Sequence, residues 1–129
     1  MGLALAEAGA DVAIIELDIP AAEETAAEIR KRGRKALSIK ADVTLLEEVA
    51  VMVDTVLQEW RRLDILVNNA GYAQPISALD MSVQDWDRLL AVDLRGVFLC
   101  SKTAATIMMP VRIRRLASLT ALMLSIFSR

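Results

Sequence analysis

The chain has 129 residues, 55% hydrophobic and 25% charged with few aromatics, which suits one globular domain and excludes a disordered polar tail. Its net charge of −2 offers no general attraction for nucleic acid or an anionic membrane. Histidine is absent and Cys100 is the only cysteine. That composition removes His-based triads, His zinc sites and intrachain disulfides, and with no metal site in view it points to a reducing, cytoplasmic setting. The charge is unevenly spread. Residues 94–129 carry six basic side chains (Arg95, Lys102, Arg112, Arg114, Arg115 and Arg129) and no acid, whereas residues 1–93 hold nine basic against 17 acidic, a net of −8. The first residues lack a basic leader, so no secretory signal is expected. The longest apolar stretch, residues 116–127, is shorter than the roughly 20 residues that a membrane-spanning helix needs.

Residues 3–8 have the pattern of the last turns of a helix, with Gly9 in the usual place of a C-cap glycine. Residues 12–15 form an uninterrupted apolar run that ends at Glu16, the mark of a parallel strand buried on both faces. Asp18 then fits a helix N-cap, Pro20 the first turn, and Ala22, Ala26 and Ile29 a buried face that closes near Gly33. A short strand over 36–39 leads into Asp42 and Val43. Thr44 and Glu47 have the spacing of a capping box, and Leu46, Val49, Val53, Val56, Leu57 and Trp60 recur at helical spacing. A third buried strand over 65–67 ends in Asn68-Asn69-Ala70-Gly71. After a loop containing Pro75, Ser82 and Asp85 form a second capping pattern, and one long helix is predicted over 83–108, stopped by Pro110. Alternating helices and strands with short connections indicate an α/β fold built on a parallel sheet.

Taken singly, several of these features have bland explanations. Asn68 to Gly71 could be an ordinary strand-ending turn, Asp42 an Asx turn and Glu16 a solvated acid. Cys100, among Val97, Phe98 and Leu99, reads as a small buried hydrophobe. Taken together and in order, Gly9-Ala10-Asp11-Val12, Ala41-Asp42-Val43-Thr44, the amphipathic helix after Leu45, Asn68-Asn69-Ala70-Gly71 and Val92-Asp93-Leu94-Arg95-Gly96-Val97-Phe98 resemble the short-chain dehydrogenase/reductase family over residues 3–109.

The resemblance implies an incomplete doubly wound, Rossmann-like parallel sheet with the first strand and the C-terminal half missing. Residues 1–110 would form a partial dinucleotide-binding domain, and residues 111–129 a tail that does not match the family. It implies that Glu16 accepts hydrogen bonds from the adenosine ribose, favouring NAD with NADP the less favoured alternative. Asp42 and Val43 would lie along the adenine, and Asn69, Ala70 and Gly71 against the cofactor ribose. Asp93 stands where the family usually has Asn, whose amide donor it lacks, so no catalytic residue is assigned.

The family's glycine-rich turn is not found, since Gly2 and Gly9 have the wrong spacing. The only tyrosine, Tyr72, is followed four residues on by Ile76 instead of Lys, and the catalytic Ser would be sought near Ser118 or Thr120. The expectation is a fragment of an NAD(P)-dependent oxidoreductase interconverting alcohol and carbonyl groups on a small molecule, inactive as it stands. The alternatives are a non-catalytic interaction fragment that forms a homo-oligomer through helix 83–108, and an artefact of gene prediction. For the basic run 112–115 and the apolar residues 116–127, a membrane-surface helix is a rival expectation. Without its first strand the sheet would have a central gap, leaving the chain poorly folded and prone to associate, and the apolar tail is the only spare segment to fill it.

Overall fold

The structure, a computed structural model, describes residues 1–108 and the backbone of residues 119–124. In chain order it contains α1 (Gly2–Glu7), β1 (Ala10–Glu16), α2 (Ile19–Lys31), β2 (Ala36–Lys40), α3 (Leu46–Trp60) and β3 (Ile65–Asn68). These are followed by α4 (Val83–Leu90), a π-helical turn (Ala91–Gly96), α5 (Val97–Met108) and β4 (Leu119–Leu124). The helix stop expected at Pro110, the basic run 112–115 and the candidate Ser118 lie outside the described residues. Residues 119–124 are a strand, not the membrane-surface helix of the rival expectation. Among the described residues no helix is long and apolar enough to cross a membrane.

Local chemistry explains most of the boundaries. Gly9 follows α1 with φ of 97° and Gly33 follows α2 with φ of 75°, left-handed conformations that glycine adopts without a Cβ penalty. Asp18 caps α2, its carboxylate accepting the Ala21 N–H at 3.3 Å. Ser82 caps α4 by accepting the Asp85 N–H at 3.1 Å, while its hydroxyl donates to the Asp85 carboxylate at 2.6 Å. The capping box expected from Thr44 and Glu47 does not form. Asp42 Oδ1 takes both the Thr44 N–H, at 2.8 Å, and the Thr44 hydroxyl, at 2.7 Å. The charged acceptor two residues away wins the hydroxyl, so α3 starts after Leu45 with no side-chain cap. Glu48, one turn into the helix, reaches back to accept the Asp42 N–H at 2.7 Å.

The long helix over 83–108 is helical throughout but not uniform, because Ala91–Gly96 widens into a π turn between α4 and α5. Gly96 accounts for the close approach there. A Cβ on it would lie 2.8 Å from Val43 Cγ2, so only glycine lets the helix backbone press on that side chain.

The sheet has four parallel strands in the order β2-β1-β4-β3. The central gap expected from the sequence is therefore filled, and the apolar tail fills it. Ala10 to Ile15 of β1 pair with Leu119 to Leu124 on one side, and Ile65 to Asn68 of β3 pair with Ala121 to Leu124 on the other. Backbone groups that would have faced a void are satisfied by a ladder on both sides. Side chains of β1 alternate between two cores. Val12 and Ile14 pack with Ala6, Ala22, Ala26 and Ile29 under α1 and α2. Ala13 and Ile15 pack with Val49, Met52, Val53, Val56, Leu99, Cys100 and Ala104 under α3 and α5.

Candidate functional site

Because the sheet is parallel, the carboxyl ends of its strands share one edge, the place where open α/β sheets bind their ligands. Glu16 ends β1 and is only 8% exposed. Its Oε1 accepts the N–H of Leu17 at 2.9 Å, and its other oxygen takes no hydrogen bond from a described residue. A largely covered carboxylate that keeps a spare acceptor at the strand end suits a pair of ligand hydroxyls. In register beside Glu16 is Lys40, the last residue of β2, and the chain continues into Ala41, Asp42 and Val43. Ala41 and Val43 are buried, and Asp42 between them is half-buried, its Oδ1 occupied by Thr44.

The end of β3 supplies the third segment. Asn68 is tied to α5 by its amide, which donates to Ser101 Oγ at 3.1 Å. Asn69 is exposed, and Ala70 packs against the α3/α5 core. A Cβ on Gly71 would meet nothing closer than Asp93 Oδ1 at 3.8 Å, so this backbone is open to close approach. The next N–H, that of Tyr72, donates to Asp93 Oδ1 at 2.8 Å. Asp93 lies in the π turn, and so clamps the Asn-Asn-Ala-Gly turn to the long helix, a contact spanning 21 residues of sequence.

Val43, Gly71, Tyr72, Asp93 and Gly96 thus form one connected unit, whereas Glu16 joins it only through strand register. Sequence reasoning weighed Tyr72 only as a catalytic tyrosine and set it aside; it is 5% exposed and belongs to the α3/α5 core, with the Arg88 guanidinium 4.5 Å from its ring centroid. Its buried hydroxyl has no hydrogen-bond partner among the described residues. The signal that could have exposed the Val43 contact is Gly96 itself, since glycine inside a helix costs about 1 kcal/mol against alanine and calls for a packing reason. Burial pushes the Cys100 thiol up to about 11, in keeping with an inert core residue. Among the described residues no group of three or more His, Cys, Asp or Glu could hold a metal ion.

A family model described as "Enoyl-(Acyl carrier protein) reductase" matches residues 1–124. The chain belongs to the short-chain dehydrogenase/reductase family. It is 34% identical over 120 residues to the 3-oxoacyl-[acyl-carrier-protein] reductase of Synechocystis, covering 92% of this chain and 49% of that protein. It is 36% identical over 105 residues to the 2-dehydro-3-deoxy-D-gluconate 5-dehydrogenase of Escherichia coli, covering 81% of this chain and 41% of the relative. Among solved structures, a short-chain type dehydrogenase/reductase from Mycobacterium marinum superposes with a TM-score of 0.81 at 38% identity, over 84% of this chain and 44% of the other. An NAD+-bound xylitol dehydrogenase gives a TM-score of 0.81 at 33% identity, over 84% and 42%. This family member spans about half the length, or less, of the curated relatives it matches. Its fold is the Rossmann-like α/β arrangement of those structures, and its relatives are oxidoreductases.

Proposed function

We propose that residues 1–110 supply the adenosine-binding side of an NAD-dependent oxidoreductase that interconverts an alcohol and a carbonyl group on a small molecule. The observation that carries this reading is the buried carboxylate of Glu16 at the end of β1, on the same edge as Asp42-Val43 and Asn69-Ala70-Gly71. The residues present fit a dinucleotide: Glu16 keeps an acceptor for the ribose hydroxyls, Asp42 and Val43 bound the base, and Gly71 leaves its backbone open. Bound NAD supplies the hydride acceptor for alcohol oxidation. The chain's own residues hold and orient it. Asp93 fixes the Tyr72 N–H and with it the turn that faces the ribose, and Val43 against Gly96 sets the distance between that turn's helix and the adenine segment.

Glu16 also directs the choice of cofactor, because a 2′-phosphate would bring like charges together in a partly desolvated place. Calorimetric titration tests this directly. NAD should bind at least about tenfold tighter than NADP, a difference of roughly 1.4 kcal/mol, and Glu16→Ala should narrow the gap. Equal binding of the two by the unaltered chain would overturn the role given to Glu16. With no Tyr-x-x-x-Lys pair in its sequence, the chain alone should show no NADH-linked reduction across a carbonyl panel.

A second reading, association through the long helix, is favoured by a specific surface. Leu94 is 64% exposed and Phe98 59%, and together with Asp87, Leu90, Ala91 and Arg95 they line an open groove of about 580 Å³. Asp87 and Arg95 carry opposite charges on the same strip, so a two-fold contact between copies could set each against its opposite. Leu94→Asp should weaken this contact in sedimentation velocity, and an unchanged distribution would exclude it.

A further inference from the structure

β4 reaches the middle of the sheet by a route unlike the other two crossovers. The passage β1-α2-β2 runs outward with its helix on one face, and β2-α3-β3 runs back across the sheet with its helix on the opposite face. Reversing both direction and face preserves the hand, so these two crossovers agree. α5 shares the face of α3, yet β4 pairs on the inner side of β3. The passage β3-α5-β4 therefore reverses direction without changing face, and its hand is opposite to the other two. Parallel crossovers share one hand in about 98% of cases, because a twisted strand and the helix that follows it pack back onto the sheet only that way.

The unfavourable hand is a property of the covalent connection, not of the pairing. If β4 came from another molecule, its partners in β1 and β3 would keep every ladder bond. The connection would no longer close a crossover within one sheet. Exchange of an identical element is also the low-cost route by which a monomer becomes a closed, two-fold dimer. Residues 109–118 separate α5 from β4, and a segment of that length reaches up to about 33–36 Å, enough to cross to a neighbouring sheet.

We propose that β4 is exchanged between two copies of this chain, each copy supplying the central strand of the other's sheet. The occupant of the slot is thus residues 119–124 of a second copy. This assembly is separate from the contact through Leu94 and Phe98, and it does not depend on cofactor binding.

Disulfide trapping tests it. Ala13 and Leu122 are register partners in neighbouring strands, about 4.8 Å apart, within the Cα separation of about 4.4–6.8 Å that a disulfide bridges. One full-length chain carries Ala13→Cys and the other Leu122→Cys, both with Cys100→Ala, and the two are refolded together under mild oxidation. Exchange predicts a mixed disulfide of about 28 kDa, twice the chain's 14.1 kDa, at several times the yield from an off-register pair such as Val12→Cys with Leu124→Cys. Equal yields from matched and off-register pairs would overturn the proposal. A second measurement does not depend on the cysteine variants folding. The Leu94→Asp chain, with its native strands intact, should remain dimeric by light scattering, and a monomer at every accessible concentration would overturn the proposal.

Discussion

Among the described residues, the buried side chains on the face under α1 and α2 are mostly alanine. Ala6, Ala10, Ala22, Ala26 and Ala36 surround Val12, Ile14 and Ile29, and Ile29 is the one large side chain that these two helices fully bury. The face under α3 and α5 is built from larger and more varied side chains, including Val49, Met52, Val53, Val56, Leu99 and Tyr72. Small residues bring α2 close to the sheet and have no side-chain torsions of their own with which to fill a space, leaving that to Leu3, Leu5, Ile65 and Val67 at the margin of the cluster. The larger residues make a thicker core, and every contact that locks the candidate site, Val43 on Gly96 and Tyr72 on Asp93, belongs to that second face. One face holds the sheet together, and the other also aims the strand ends.

The largest expected effect tests the first half of that contrast. Ile29→Ala and Met52→Ala each remove a large, fully buried side chain, and such truncations cost about 2–5 kcal/mol. Ile29→Ala should fall at the upper end and Met52→Ala at the lower, because more of the buried neighbours in the Ile29 cluster are alanines without side-chain freedom, whereas the Met52 cluster is richer in valine and leucine. Urea unfolding of the two variants would show it. A larger loss for Met52→Ala breaks the comparison.

Next in size is Gly96→Ala. The added Cβ meets Val43 Cγ2 at 2.8 Å, and over-packing of this kind costs about 1–3 kcal/mol, partly offset by alanine's better helix propensity. Val43→Ala in the same chain should return part of that loss, giving a coupling that a double-mutant cycle measures. Strict additivity would mean that the helix and the adenine segment do not press on each other as described.

The smallest effect is the most local. Asp93→Ala removes the acceptor of the Tyr72 N–H, a contact to an exposed carboxylate for which a loss of about 0.5–1.5 kcal/mol is expected. Asp93→Asn keeps an acceptor oxygen and should lose less. Hydrogen exchange separates the two: protection of the Tyr72 amide should drop about two- to tenfold in the alanine variant and stay near the parent in the asparagine variant. Equal protection in all three chains would show that the clamp holds nothing.

Much of this was legible because it is local. The runs at 12–15 and 65–67 became β1 and β3, Asp18 and Ser82 became caps, and Gly9 and Gly33 took the left-handed conformations their positions implied. Each rests on residues within a turn or two of one another, where apolar period and side-chain hydrogen bonding leave little choice. The carboxyl-end position of Glu16, Asp42 and Asn69 to Gly71 was legible for the same reason, since it follows from the strands and the parallel sheet. Where two local patterns competed, sequence alone chose wrongly: Thr44 matched a capping box, but Asp42, two residues away, took its hydroxyl.

What the sequence could not decide involves partners far apart along the chain. The π turn at Ala91–Gly96 answers to Val43, some fifty residues earlier. The burial of Tyr72 and its bond to Asp93 depend on α4 and α5 folding back over β3. The seat of β4 is a mixed case: the family resemblance pointed to a central gap with the apolar tail as its only spare filler, but the apolar pattern alone did not choose that place. An apolar segment states only that it should be buried in a sheet, and a hydrophobic pattern is equally satisfied beside β3's outer edge or between β1 and β3. Two ladders instead of one made the difference, because a central strand satisfies its backbone groups on both sides, and only the assembled sheet offers that place.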